Sequence, residues 1–97
     1  MVWGAKIRIS LRKSKVRREV LRYLVEIYPK KVYASEIVVA TGIGINDVYG
    51  ALNGVLNRYK KGNSLVSLGL VTKEKTNGIC FYSATELGCR SCRSLIK

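Results

Sequence analysis

Three cysteines are the residues of this chain that could bind a metal or exchange disulfides. Cys80 stands alone, whereas Cys89 and Cys92 form a CRSC motif. A tetrahedral zinc site needs four ligands, and because the sequence has no histidine, one chain offers only three. Two chains could pool their CxxC pairs into one site or form intermolecular disulfides, whereas reduced thiols pack as small apolar side chains. We expect no metal and no cofactor within one chain, and the state of the thiols stays open.

Catalysis has no candidate residues in this sequence. Histidine is absent, and the six carboxylates are scattered over unrelated segments, so no acid and base pair can be proposed. Gly42 and Gly44 lie between two predicted helices, whereas a dinucleotide-binding loop follows a strand. The sequence therefore predicts that the protein is not an enzyme.

Positive charge is the strongest chemical property of the chain. Eighteen Lys and Arg residues against six Asp and Glu residues give a net charge of +12, with a pI near 10.0. Residues 1–31 carry ten basic and two acidic side chains (+8), residues 32–72 carry three and two (+1), and residues 73–97 carry five and two (+3). This balance is typical of a chain that binds a polyanion, and nucleic acid is the first candidate. The alternative is that self-repulsion only keeps a small protein soluble.

The length and composition predict one folded domain in the cytoplasm. With 97 residues and 47% hydrophobic content, the chain can build one modest core. No apolar run approaches the roughly 18 residues that span a bilayer, and the N-terminus lacks the features of a signal peptide, so we expect no membrane partner. Glutamine and histidine are absent, and avoidance of amides is a thermophile habit that favours an archaeal source, although the asparagines argue the other way.

The N-terminal half predicts a strand or arm followed by two helices. In residues 1–13, apolar residues alternate with basic or polar ones, which is the period of a half-buried strand. The segment could equally be a basic arm. Ser14 is a candidate N-cap for a helix that helical spacing extends to Pro29. A single-bridge strand at residues 32–33 and a short helix at residues 35–40 are expected next.

A third helix, from about Ile45 to Tyr59, is predicted after a glycine break at residues 42–44. Its core side is expected to consist of Val48, Leu52, Val55 and Leu56. Two β-prone runs, LVSLGLVTKEK and ICFYSA, flank Asn77-Gly78, the strongest short signal for a hairpin. Thr85 is expected to cap a last helix that ends near Ile96.

This order of elements resembles the winged helix-turn-helix family. The stretch SEIVVATGIGINDVYGALNGVL corresponds to the two-helix unit, LGLVTKE leads into the wing, and YSATELG closes it. The Gly-Leu-Val and Tyr-x-Ala-Thr-x-x-Gly landmarks are similar to those of MarR-like, ArsR-like and PadR-like transcriptional regulators. The resemblance implies an α+β, mainly α fold with a three-helix core and a β-hairpin wing at residues 14–84 and a C-terminal helix at residues 85–97. Residues 1–13 would be an added basic arm or strand.

The resemblance further implies sequence-specific binding of double-stranded DNA, with the third helix in the major groove. An asparagine amide matches adenine N6 and N7, and glycine permits close approach of the backbone. The expected base-reading residues are Asn46, Tyr49, Gly50, Asn53 and Asn57. The alternative is that Gly50 and Gly54 let another helix pack closely, while the asparagines are solvated surface.

Phosphate contacts are expected from the wing, the end of the third helix and the N-terminal segment, because phosphate contacts set affinity and base contacts set specificity. The expected residues are Lys6, Arg8, Arg12, Lys13, Lys15, Arg17, Arg18, Arg58, Lys60, Lys61, Lys73 and Lys75. For the N-terminal cluster, the alternative is an edge strand that its charge protects from aggregation.

Winged helix regulators often dimerise through terminal helices, so the resemblance implies a homodimer. The alternation of residues 2–11, with Trp3, is a second candidate dimer element. Two other functions stay open: a protein-interaction winged helix module, and an architectural DNA binder or RNA binder without sequence preference. The near-neutral asparagine side of the third helix favours sequence-specific binding, since an architectural binder is expected to carry Lys and Arg there.

Overall fold

The described structure is α+β and mainly helical. The computed structural model describes residues 2–54 and 64–95, with side chains for residues 5–54 and 64–94. This part contains five helices and one two-stranded antiparallel sheet. In chain order, the elements are α1 (Val2–Lys13), α2 (Lys15–Glu26), α3 (Ala34–Thr41), α4 (Ile45–Asn53), β1 (Val71–Thr76), β2 (Ile79–Ala84) and α5 (Glu86–Leu95). The coarse fold class predicted from the sequence is thereby confirmed.

The first element is a helix, so the strand or arm predicted for residues 1–13 is wrong. In α1, Ile7 and Leu11 are buried, whereas Ile9 between them is 50% exposed. The spacing of Ile7 and Leu11 fits both a strand and a helix, and packing of α1 against α2 and α5 selects the helix. These two residues of the expected dimer element therefore lie in the core of a single chain.

Helix α2 is the centre of the core. The hydroxyl of Ser14 accepts a hydrogen bond from the backbone N–H of Arg17 at 3.1 Å, which confirms the predicted N-cap. Val20, Leu21 and Leu24 are fully buried. Because α2 packs against all four other helices, it fixes their relative positions.

A three-residue turn joins α3 to α4. Gly42 ends α3 in the left-handed region with a φ of 76°, a conformation that favours glycine. On α4, the side chains of Val48 and Leu52 are buried, as the helical spacing predicts. The tight turn therefore turns the apolar sides of both helices toward α2.

Helix α4 ends at Asn53, and the rest of the predicted helix after Gly54, up to Tyr59, lies outside the described residues. Gly54 leaves the helical conformation with a φ of 83° and a ψ of 147°. The backbone N–H groups of Leu65 and Val66 then donate to the carbonyls of Ala51 and Leu52 at 2.9 and 3.1 Å, which satisfies acceptors that a helix end leaves open. The predicted core residues Val55 and Leu56 lie outside the described residues.

The hairpin forms where the sequence predicts it. Asn77 and Gly78 both have positive φ, 52° and 79°, as a type I′ turn requires, and they connect Thr76 to its partner Ile79. The start of the β-prone run before β1 does not form a strand. Residues 64–70 instead form turns that bury leucines in the core. These leucines are Leu65, Leu68 and Leu70.

The last helix begins as predicted at Thr85, whose hydroxyl accepts a hydrogen bond from the Gly88 N–H at 2.9 Å. The backbone N–H of Thr85 donates to the carbonyl of Leu70 at 3.0 Å, so the start of α5 is bound to the segment before β1. None of the helices in the described ranges is long and apolar enough to cross a bilayer.

Candidate nucleic-acid interface

The exposed side of α4 borders a cleft that the hairpin closes on the other side. The cleft has a volume of about 570 Å³, and its walls come from the start of α3, from α4 and from both strands. Asn46 and Tyr49, one helical turn apart on α4, are exposed, Tyr49 to 44%. Tyr49 lines the cleft, whereas Asn46 is exposed on the same helix and does not belong to the lining.

Asn53 has a structural partner that the sequence did not indicate. Its side-chain amide donates a hydrogen bond to the phenolic oxygen of Tyr82 at 3.0 Å, and Asn53 is only half-exposed. This bond joins the end of α4 to β2. Asn53 thus holds the hairpin at a defined position relative to α4, in addition to lining the cleft.

Gly50 does not contribute to the exposed side of α4, because it is buried. Its burial favours the alternative in which glycine permits close packing, and Gly54 serves as the helix C-cap. The remaining predicted base-reading residue, Asn57, lies outside the described residues. In the described structure, the accessible polar side chains of the predicted set are those of Asn46 and Tyr49, with Asn53 at the edge of the cleft.

Tyr82 connects three parts of the fold. Its backbone exchanges two hydrogen bonds with Val32, at 2.9 and 2.8 Å, which confirms the single-bridge strand predicted at residues 32–33. Its side chain is 1% exposed and accepts the bond from Asn53. Burial raises the pKa of the Tyr82 phenol, and the hydrogen bond from Asn53 opposes this effect.

Replacing Tyr82 with phenylalanine is expected to lower stability near neutral pH by about 1 kcal/mol, because Asn53 loses its hydrogen-bond partner. The raised pKa means that folded Tyr82 keeps its proton at pH values where the unfolded chain loses it. Wild-type stability should therefore fall as the pH rises above about 10, and the difference between the two proteins should narrow. Urea denaturation of both proteins at pH 7 and pH 11 measures the difference in their free energies of unfolding. The same difference at both pH values would contradict the raised pKa of Tyr82.

The hairpin presents two of the predicted phosphate contacts. Lys73 and Lys75 are exposed and, being two residues apart on β1, project from the same face. Lys73 also lines the cleft beside α4. Glu74 projects to the other face, where it forms an ion pair with Lys31. Lys73 and Lys75 therefore lie on one face of the hairpin, and Glu74 lies on the other.

The N-terminal basic residues differ in accessibility. Lys6, Arg8, Arg12, Lys13 and Lys15 are exposed. Arg17 is only 5% exposed and donates to the carbonyl of Ser10 at 3.2 Å, so it joins α1 to α2 in the interior and does not belong to the exposed basic surface. Arg18, on α2, is half-buried, and its side chain donates to the carbonyl of Leu11 near the end of α1. The remaining expected contacts, Arg58, Lys60 and Lys61, lie outside the described residues.

The three thiols are free in the described structure. Cys89 and Cys92 are buried and Cys80 is half-buried. Burial raises the pKa of the Cys92 thiol, which the nearby Arg22 opposes, and a protonated thiol is a poor nucleophile and metal ligand. Within residues 2–54 and 64–95, no three Cys, His, Asp or Glu side chains are grouped so that they could hold a metal ion.

Some residues of the cleft were not predicted from the sequence. Tyr33 lies at the start of α3 with its ring centroid 4.7 Å from that of Phe81, and Ile45 and Ile79 are both exposed by more than 40%. Tyr33, Ile45 and Ile79 line the cleft. No spacing rule links Tyr33, Ile45 and Ile79, because they lie far apart in the sequence.

Together, the fold and this surface define a small basic α+β protein with a polar helix side next to a hairpin. The chain belongs to the EarA-like family, whose model matches residues 7–95. It is 38% identical over 79 residues to an uncharacterized protein of Methanocaldococcus jannaschii, a match that covers 81% of this chain and 71% of the relative. The relative is archaeal, which fits the expected source. No solved structure matches the chain.

Proposed function

We propose that this protein binds double-stranded DNA in a sequence-specific manner, as a non-enzymatic transcriptional regulator of the winged helix-turn-helix class. In this proposal α3 and α4 form the helix-turn-helix unit, and the β1–β2 hairpin is the wing. The observation that carries the proposal is the exposed, uncharged polar side of α4, with Asn46 and Tyr49, and the cleft that Tyr49 lines together with Lys73 of the hairpin.

The position of Asn46 suits contact with base edges. It is the second residue of α4, and the reading helix of a helix-turn-helix unit contacts bases mainly through its N-terminal residues. The Asn46 amide can donate to adenine N7 or accept from N6. Tyr49, one turn further along, offers a hydroxyl and an aromatic edge to the neighbouring base pair. This pair of side chains supplies hydrogen bonds but no net charge, which suits sequence reading more than general attraction to DNA.

Affinity in this proposal comes from the basic residues around the reading helix. Lys73 and Lys75 would contact the phosphate backbone from the wing, and the exposed basic residues of α1 and the start of α2 would add further contacts. The proposal also includes a homodimer, because terminal helices carry the dimer interface in the regulators that the sequence resembles. A dimer would read two half-sites about one helical turn of DNA apart.

A protein partner is the second candidate function, and one observation favours it. Val39 on α3 is 87% exposed and Ile45 at the start of α4 is 41% exposed, so the helix-turn-helix unit also carries apolar surface. Winged helix domains can use such a surface to bind other proteins, because fold alone does not determine function.

Fluorescence anisotropy with three labelled 30-nucleotide ligands of one sequence tests the proposed function: a DNA duplex, a DNA single strand and an RNA duplex. The DNA duplex is expected to bind at least about tenfold more tightly than the RNA duplex at near-physiological salt, because the deep, narrow major groove of A-form RNA does not admit side chains from α4. Equal affinity for all three ligands would favour a general polyanion binder. The absence of binding to any of them would favour the protein-interaction function.

A further inference from the structure

A second cleft, on the side of the molecule formed by α1, α2 and α5, is lined by arginines. Its volume is about 410 Å³, and its lining residues are Arg8, Leu11, Arg12, Arg18 and Ser94. The lining contains three guanidinium groups and one hydroxyl but no carboxylate. It shares no lining residue with the cleft beside α4. The two clefts are therefore separate sites.

Arg18 lines this arginine cleft and is held in place by hydrogen bonds to α1. Its Nη1 donates to the backbone carbonyls of Leu11 and Arg12 at 2.8 and 3.0 Å, where the C-terminus of α1 leaves acceptors open. An arginine has five N–H donors, so these bonds leave other donors of Arg18 for a ligand. The guanidinium is oriented before any ligand arrives, which lowers the entropic cost of binding.

Arg8 and Arg12 add two exposed positive charges to the lining of the cleft. They are exposed and lie one turn apart on the same side of α1, a helix with no acidic residue. The ion pairs Arg22–Glu19 and Lys31–Glu74 lie outside the cleft, and no carboxylate of the described residues belongs to its lining. Three like charges near one another repel, and an anion between them removes that repulsion.

We propose that the arginine cleft binds a phosphate group. Guanidinium groups form bidentate, charge-assisted hydrogen bonds with phosphate oxygens, and the hydroxyl of Ser94 on α5 can donate one more. The assignment of this phosphate to the DNA backbone depends on the proposed function, whereas the affinity of the cleft for phosphate does not. In either case, the arginines of α1 and α2 bind phosphate at one defined site that Ser94 of α5 completes. They do not act only as a diffuse positive surface.

Two double variants that lose the same amount of charge distinguish a defined phosphate site from a general effect of positive charge. Arg8→Ala/Arg12→Ala removes two arginines that line the cleft. The matched control, Arg90→Ala/Arg93→Ala, removes two exposed arginines of α5 that do not line the cleft and that the proposed function does not place on DNA. All four positions are exposed, so both variants are expected to fold, and circular dichroism checks this.

The first measurement is the salt dependence of binding to a DNA duplex. Each lost phosphate contact lowers the slope of log K against log salt by about 0.9, so the cleft variant should lose about 1 to 2 units of slope and the control less than half of that. The second measurement is isothermal titration with inorganic pyrophosphate in the absence of DNA. Wild type and the control should bind it with a saturable isotherm, and the cleft variant should bind at least about tenfold more weakly.

The two measurements distinguish the sources of the phosphate. A difference between cleft variant and control in the duplex assay assigns the cleft to the DNA backbone. A difference only with pyrophosphate, together with a protein that does not retain duplex DNA, supports the cleft as a site for free phosphates while the proposed function fails. Equal behaviour of the two variants in both assays overturns the phosphate site, even if the protein binds DNA through α4.

Discussion

Replacing Gly88 with alanine is expected to destabilise the fold by about 3 kcal/mol, since forced overpacking has costs of this size. A Cβ atom at Gly88 would lie 2.2 Å from the carbonyl oxygen of Leu70 and 3.1 Å from its carbonyl carbon. The atoms that would clash with this Cβ belong to the Leu70 backbone. They cannot shift freely, because the Leu70 carbonyl accepts the hydrogen bond from the Thr85 N–H at the start of α5. The better helix propensity of alanine, worth about 1 kcal/mol, recovers only part of the loss.

Urea denaturation followed by circular dichroism measures this effect. Arg90→Ala, at an exposed position of the same helix, is the control and should change the free energy of unfolding by less than about 0.5 kcal/mol. If Gly88→Ala were as stable as wild type, the close approach of α5 to Leu70 would be wrong. The packing that holds the hairpin next to α4 would then have to be revised, because Leu70 directly precedes β1.

Replacing Asn46 with alanine is expected to weaken binding to the preferred DNA duplex by about 5- to 150-fold, corresponding to the roughly 1 to 3 kcal/mol of a good base contact. Binding to a scrambled duplex should change little, since phosphate contacts supply that affinity. Tyr49→Ala should act in the same direction. Both side chains are exposed on α4, so the substitutions would remove the proposed contacts with DNA and leave the core unchanged.

The control for this prediction is Val39→Ala on α3, which alters an 87% exposed side chain of the neighbouring helix. Its affinity for both duplexes should match that of wild type. Equal losses by Asn46→Ala on preferred and scrambled duplexes would mean that Asn46 contributes to affinity but does not read bases. A loss caused by Val39→Ala and not by Asn46→Ala would indicate that α4 is not the reading helix.

The elements with local signals could be predicted from the sequence. Ser14 caps α2 through its own hydroxyl, Gly42 ends α3 with a positive φ, and the Asn77-Gly78 turn has the two positive φ values of a type I′ hairpin. Each of these signals depends on residues within a few positions of one another. Such elements form wherever the rest of the chain permits them.

The elements decided by distant contacts could not be predicted. The spacing of Ile7 and Leu11 suits a strand as well as a helix, and only packing against α2 and α5 decides between them. Helix α4 ends at Asn53, and residues 65–66 donate backbone hydrogen bonds to its last carbonyls. Helix α5 begins 75 positions after Leu11, and residues 65–66 lie 14 positions after the carbonyls that they contact, so neither segment is visible in the local pattern.

The same distinction applies to the candidate site. The exposure of Asn46 and Tyr49 follows from the helical spacing of α4, whose core side carries Val48 and Leu52. Asn53, by contrast, is engaged by Tyr82, twenty-nine positions further along the chain. The arginine cleft combines residues of α1 and α2 with Ser94 of α5, an arrangement that only the tertiary structure shows.

The central claim is that the polar side of α4 reads a DNA sequence, and selection from a random duplex pool tests it most directly. The full chain is incubated with the pool at near-physiological salt, and bound duplexes are recovered, amplified and sequenced over several rounds. We predict enrichment of one motif, with half-sites about one helical turn apart if the protein is a dimer, and loss of that enrichment in Asn46→Ala. Retention of duplexes without an enriched motif would contradict the claim, because the positive charge would then bind DNA without any contribution from α4 to specificity.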